Sequence, residues 1–293
     1  MKVSIVIRAY NEEKYLGQLL EGIRRQDLPD DDVELILVDS GSTDQTVSIA
    51  SRFGARIVNI RKEDFTFGRS LNMGCEAASG DVLVMVSAHC IPVNESWLSA
   101  LIAPLRQGVS PYCYGRQVGW GSSKFSECQL FKKYYPDVDK LQSKDFFCNN
   151  ANSALLKSTW ESFPFDEELT GLEDMDLGHR LVRHGQAIAY VAGAAVHHIH
   201  EEVWSRVKTR YEREAIALQL IMPQVHVGFP DFLRYFVSAV FFDFEAAIQE
   251  KKFRACFTEI ILFRFFQFWG SYKGHQSHRQ MSRQMKEQYF YPK

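Results

Sequence analysis

Over its first hundred residues the chain alternates between short β-branched runs and segments of helical period. Residues 3–8, 33–38, 56–60 and 82–87 read as strands. Between them, residues 12–25 place Leu16, Leu19, Leu20 and Ile23 on one face, and residues 47–53 and 70–78 continue as helix. A further helix opens at Asn94 or Glu95 and reaches about Leu105. Such alternation constrains the chain to an α/β fold, a mostly parallel sheet covered by helices on both faces. After Ser110 the regularity fades. Residues 112–120, 152–157 and 187–191 are predicted strands, and residues 125–135 a helix. A short helix at 173–184 stops at Gly185. Beyond His200 the pattern is helical and strongly aromatic. Residues 1–200 are therefore expected to form one domain and residues 201–293 a helical extension.

The remaining bulk properties mostly exclude. Hydrophobic residues make up 46% of 293, enough for a large core. A formal charge of −2 gives no reason to expect nucleic acid as a partner. No secretory signal is visible, and no apolar run reaches the ~20 residues that span a bilayer. The six cysteines form no close pair of the metal or redox kind, which fits reduced thiols in a cytoplasmic protein. Cys90 and Cys148 lie beside polar motifs.

Ligands of open parallel sheets bind at the carboxyl ends of strands. Three polar clusters fall at such ends: Arg8-Ala9-Tyr10-Asn11-Glu12, Asp39-Ser40-Gly41-Ser42 and Ser87-Ala88-His89. Any one alone is ordinary loop and capping chemistry. Three in succession point to a nucleotide pocket. The glycine pattern of a dinucleotide fold is missing from the first turn, and no P-loop is present.

The motif order resembles family 2 glycosyltransferases, which are inverting enzymes of the GT-A fold. The resemblance is carried by residues 3–16, Leu37-Val38-Asp39-Ser40-Gly41-Ser42-Thr43-Asp44, Gly68-Arg69-Ser70-Leu71-Asn72-Met73-Gly74 and Glu173-Asp174, and covers about two-thirds of the chain. Arg8 and Ser87-Ala88-His89-Cys90-Ile91-Pro92 make it similar to a branch of bacterial surface-glycan sugar transferases. The resemblance implies a nucleotide-diphosphate sugar donor and a glycan or lipid-linked glycan acceptor. It assigns Arg8, Tyr10, Asn11, Glu12, Asp39, Ser40, Ser42, Arg69, Asn72, Ser87, Ala88 and His89 to the donor, with Asp39 on base or ribose. Asp174 becomes the candidate base, with Glu173 orienting it or binding the acceptor; helix capping is the plainer role for both.

Where the family carries Asp-x-Asp, this chain has Ser87-Ala88-His89. A departing diphosphate needs its charge stabilised. Related transferases place a metal-binding histidine after the acidic helix, which best matches His198. His89 and His198 are thus the candidate ligands of a divalent cation, with Mn²⁺ favoured over Mg²⁺ because imidazole is a borderline donor. Direct hydrogen bonding of His89 to the diphosphate is the alternative. Two rival functions are a sugar-nucleotide pyrophosphorylase and a non-catalytic nucleotide- or glycan-binding relative. The first lacks its Gly-rich basic loop here; the second sits badly with the retained Glu173-Asp174.

Residues 228–269 are dense in Phe, and residues 273–293 hold five Lys or Arg against one Glu. Aromatic helices with a basic tail suit peripheral contact with the inner face of an anionic membrane. The same helices also suit packing on the first domain or a homodimer contact.

Overall fold

The structure, a computed structural model, describes residues 1–28, 33–276 and 289–290. Its chain divides into two compact units. The first comprises Met1–Trp120, Tyr134–Glu168 and Glu173–Ile199; the second comprises Gly121–Lys133, Leu169–Leu172 and His200–Lys293. The second unit thus takes two short pieces from within the first two hundred residues.

In chain order the elements begin with β1 (Val3–Ala9), α1 (Glu13–Arg24), β2 (Val33–Asp39), α2 (Thr46–Arg52), β3 (Arg56–Asn59) and α3 (Phe67–Ala77). They continue with β4 (Val82–Ser87), β5 (Cys90–Pro92), α4 (Trp97–Arg106), β6 (Tyr112–Val118), α5 (Phe125–Tyr134), β7 (Lys140–Gln142) and β8 (Asn152–Leu156). The last are α6 (Lys157–Ser162), α7 (Glu173–Arg183), β9 (Ile188–His198), α8 (Trp204–Ile221), α9 (Phe229–Gln249) and α10 (Phe253–His275).

Among the described residues, nine strands form the sheet of the first unit, in the order β3-β2-β1-β4-β8-β6-β9-β5, with β7 also on β9. β1 is the central strand of a parallel block, flanked by β2 and β4. Every residue of β1 except Arg8 is buried. Val3, Ile5 and Ile7 face Leu16, Leu19, Leu20 and Ile23 of α1 and Trp97, Leu98 and Leu101 of α4. α3 covers the opposite face, where Gly74 lies against Val6 and Val38. The two-sided cover follows from the period-two alternation of β1.

β8 reverses direction against β4, and β6 reverses again against β8. β9 then runs parallel to β6. The carboxyl ends of β1, β2, β4, β6 and β9 therefore share one edge, and the loop entering β8 arrives there as well.

Element boundaries differ from expectation in two places that matter. α3 starts at Phe67, three residues early, because the Thr66 hydroxyl accepts the Arg69 N–H at 3.1 Å and caps the helix. β9 continues past Val191 to His198, so His197 and His198 lie on the strand and His200 beyond its end. Its Ala-Gly-Ala-Ala interruption hides this, since the ladder skips between Gly115–Val191 and Gln117–Val196. A Cβ on Gly115 would collide with the Ala194 carbonyl and the Asn152 side chain. β5, β7 and α6 are too short to leave a periodic signal.

In the second unit, α5 and α8–α10 pack around Phe125, Val240, Ala247 and Ile260. Arg264 forks onto buried Asp243 at 2.7 and 2.8 Å, and Ser126 donates to the same carboxylate. Glu127 takes His200 at 2.8 Å and Arg210 at 3.1 Å. The basic tail lies largely outside the described residues. Among the described residues, no helix is long and apolar enough to cross a membrane.

Gly74→Ala is expected to overpack the α3–β1 contact, because the new methyl would overlap the Val6 side chain. Unfolding free energy from urea titration should fall by about 1–3 kcal/mol.

Candidate active site

The carboxyl edge gathers the three polar clusters. Two of them are stapled to each other by side chains. Asn11 has a left-handed backbone (φ 55°). The Ser42 hydroxyl accepts its N–H at 2.9 Å, and its own Oδ1 accepts the Thr43 N–H at 2.8 Å. Thr46 Oγ1 accepts the Glu12 N–H at 2.7 Å. The Asp39 carboxylate closes its own turn, accepting the N–H groups of Gly41 (3.0 Å) and Ser42 (3.1 Å). Asp39 thus closes a turn, and its remaining lone pairs are what it can offer a ligand. Ser40 lies buried behind this turn, with its N–H on the Ala9 carbonyl. Tyr10 accepts a hydrogen bond from Lys62 at 3.0 Å, and the same ammonium lies over its ring.

Three expected donor residues bond to protein partners. Asn72 donates to the Phe165 carbonyl and Glu167, and accepts from Trp160 Nε1 and the Phe165 N–H, all at 2.9–3.0 Å. Both donors and both lone pairs of the amide are used. Asn72 thus holds the 165–167 segment rather than presenting itself to a ligand. Arg69 pairs with Glu167 at 2.7 Å and reaches the Asp64 carbonyl. Arg8 points from β1 to Glu173 at 3.1 Å and lies over the Phe67 ring. It belongs with the acidic helix.

The acidic pair opens α7, and both residues are buried. The Asp174 carboxylate accepts the Asn150 N–H at 2.9 Å and the Met175 N–H at 2.8 Å. Burial and the neighbouring Glu173 push its pKa up to about 7, against the opposing pull of those N–H groups and Arg8. The Cys148 thiol donates to the Asp174 carbonyl at 3.0 Å and is itself pushed far up by burial. None of the six cysteines is disulfide-bonded.

His89 and His198 are brought together by the sheet. β5 pairs antiparallel with the end of β9, Cys90 opposite His198, and the Ile199 N–H donates to the His89 carbonyl. The two rings stack with centroids 5.2 Å apart and planes 15° from parallel. His89 Nδ1 lies 3.0 Å from Glu12 Oε1, and His198 Nδ1 lies 2.6 Å from Gln117 Oε1. Gln117 Nε2 donates to Asn149 Oδ1 at 2.9 Å, which fixes the amide with its oxygen toward His198. With Nδ1 of both rings engaged by these oxygens, Nε2 is the nitrogen a cation would take. Orientation by a carboxylate or amide oxygen is how proteins prepare metal-binding imidazoles. Ser87 bonds through its N–H to the Ala151 carbonyl, and buried Ala88 gives the turn no bulk.

Asn149, Asn150 and Gln117 escaped the sequence reading. Asn150 Nδ2 is buried with no hydrogen-bond partner, while Asn150 Oδ1 accepts from Tyr112 and Ser153. The run Asn149-Asn150-Ala151-Asn152 before an apolar strand is the signal that was there to find.

The family model for glycosyl transferase family 2 matches residues 4–161. The chain belongs to this family. It is 27% identical over 213 residues to the O-antigen chain rhamnosyltransferase RfbN of Salmonella typhimurium, covering 68% of this chain and 67% of that protein. It is 27% identical over 182 residues to the poly(ribitol-phosphate) beta-N-acetylglucosaminyltransferase TarS of Staphylococcus aureus, covering 59% of this chain but only 31% of TarS. Among solved structures, the mannosyltransferase PcManGT from Pyrobaculum calidifontis, in complex with GDP-Man and Mn²⁺, is similar with a TM-score of 0.62 at 16% identity. That match covers 99% of this chain and 87% of the other. S. aureus TarS 1-349 in complex with UDP-GlcNAc is similar with a TM-score of 0.59 at 15% identity, over 95% and 93% of the two chains. At such identities the likeness shows the fold, which is the GT-A fold.

Asn72→Ala should leave Trp160 Nε1 and the Phe165 N–H without acceptors. Thermal or urea unfolding should report a loss of about 2–3 kcal/mol, while calorimetric affinity for a nucleoside diphosphate stays near wild type.

Proposed function

We propose that this glycosyltransferase moves a sugar from a nucleoside-diphosphate donor to a hydroxyl of a glycan acceptor, with inversion at the anomeric carbon. The observation that carries the reading is Asp174, a buried carboxyl with its pKa raised to about 7, beside the strand ends that gather the donor motifs. A general base works best when its pKa lies near the operating pH. The donor class is supported by the GDP-Man and UDP-GlcNAc complexes of the two similar structures. The acceptor class is supported by the O-antigen and poly(ribitol-phosphate) transferases among the relatives.

In this reading Asp174 takes the proton of the acceptor hydroxyl as that oxygen bonds to the anomeric carbon. The bond from that carbon to the diphosphate breaks, and its electron pair leaves with the diphosphate. Arg8 holds Glu173 and limits the negative charge beside the base. Asn150 fixes the carboxylate through its backbone N–H. The loop pair of Asn11 and Asp39 receives the nucleoside.

His89 and His198 would hold a divalent cation through Nε2, with Glu12 and Gln117 orienting them. The residues fit such an ion, since two stacked imidazoles oriented through Nδ1 by a carboxylate and an amide are a donor set that a borderline cation takes. Its chemistry would be to neutralise charge on the leaving diphosphate. Two imidazoles and no direct carboxylate favour Mn²⁺ over Mg²⁺, and the donor's own oxygens would complete the shell.

Two outcomes test the reading. Because the base must be ionised, kcat/KM should drop about tenfold per pH unit below about 7 and level off above it. Asp174→Asn should lose ~100-fold or more in turnover and lose that inflection, with donor binding retained. Separately, exhaustive chelation should abolish turnover and Mn²⁺ should restore it better than Mg²⁺. Calorimetric Mn²⁺ binding in the presence of nucleoside diphosphate should weaken ~10–100-fold in Gln117→Leu, as expected for loss of an outer-shell partner. Full activity after chelation would remove the cation from the proposal.

A further inference from the structure

α9 carries two apolar stripes, and only one is buried. Phe232, Val240 and Ala247 face the core of the second unit. Leu233, Val237, Phe241 and Ile248 lie exposed along another side of the helix, with Phe244 beside them partly buried against the core. Phe241 is 68% exposed and Ile248 61%. Phe244 stacks on Phe257 of α10, ring centroids 5.2 Å apart, and Phe257 is itself 43% exposed. Phe242, 72% exposed, adds a second bare ring. Monomeric proteins rarely leave aromatic rings grouped in water without a use for them.

Cations collect at the end of the hairpin where this stripe finishes. Lys251 and Lys252 form the α9–α10 turn and Arg254 opens α10, all exposed. Lys132 of α5 reaches Glu250 at 2.7 Å, and Lys252 meets the same carboxylate at 2.8 Å. Lys251 has φ 57°, with its N–H on the Ile248 carbonyl and the Lys252 N–H on the Ala247 carbonyl. This is the helix-ending position that strongly favours glycine. A lysine there puts a charge at the tip at a conformational cost.

We propose that this end of the α9–α10 hairpin seats on an anionic lipid surface. Phe241, Ile248 and Phe257 enter the headgroup boundary, and Lys251, Lys252 and Arg254 meet lipid phosphates. Apolar side chains next to a cationic tip complement an anionic bilayer on both counts. Glu250 already answers Lys132 and Lys252, so Lys251 and Arg254 are the charges that favour an anionic bilayer over a second copy of the helix. The inference is independent of the transferase reading, because lipid binding needs neither donor nor acceptor.

The test is flotation of the full chain, without nucleotide, on vesicles of equal parts phosphatidylglycerol and phosphatidylcholine, compared with phosphatidylcholine alone. Wild type should float with the anionic vesicles only, and less so at high salt. Lys251→Glu/Arg254→Glu should weaken the partition by at least roughly fivefold per charge. Phe241→Ser/Ile248→Ser should also lose it, with an unchanged thermal midpoint showing that the fold is intact. Wild type that ignores anionic vesicles overturns the proposal. So does a wild-type dimer, seen by light scattering, that Phe241→Ser/Ile248→Ser converts to monomer while vesicle binding is absent throughout.

Discussion

The antiparallel entry of β8 is the constraint on which the site depends. Had β8 continued the parallel block, its preceding loop would lie at the opposite edge of the sheet. Because it runs against β4, with Val86 opposite Asn152, Asn149 and Asn150 arrive beside the carboxyl ends of β1, β2 and β4. Asn150 then holds Asp174, and Asn149 sets the amide that orients His198. One reversal of strand direction therefore serves both the candidate base and the candidate cation site.

The two halves of the site use opposite electrostatic means. Around Asp174, burial and a second carboxyl make ionisation harder, and backbone N–H groups with Arg8 restrain the shift. Around the histidines, oxygen atoms on Nδ1 fix the planes of the two rings. The candidate base and the candidate cation ligands thus stand on one sheet edge, each held by its own set of partners.

Much of this was legible in the chain. Val3, Ile5 and Ile7 alternate so cleanly that the central strand and its cover follow from period alone. The Tyr10, Asp39 and His89 clusters stand at strand ends because a parallel sheet has only one edge where its loops diverge after the strands. What was not legible depends on long-range pairing. Asn72 looks like a donor ligand until Trp160 and Phe165 take up its amide. Arg8 pairs with Glu173, 165 positions away, a contact that spacing does not show. β9 could not be followed past Val191, because an Ala-Gly-Ala-Ala run has the composition of a break and is held in the sheet by distant partners, among them Asn152, Asp139 and the Val93 N–H.

That interruption in β9 acts as a phase adjuster. In a strand, adding or removing one residue exchanges the two faces for everything downstream. Five steps along β9, from Val191 to Val196, correspond to two along β6, from Gly115 to Gln117, before regular pairing resumes. The surplus of three is odd, so the bulge itself sets which face His198 occupies. Sequence drift within the run can be absorbed so long as its length is kept, whereas a single-residue deletion would turn His198 from Gln117 and toward the far side of the sheet. Length, more than composition, is what this segment must preserve.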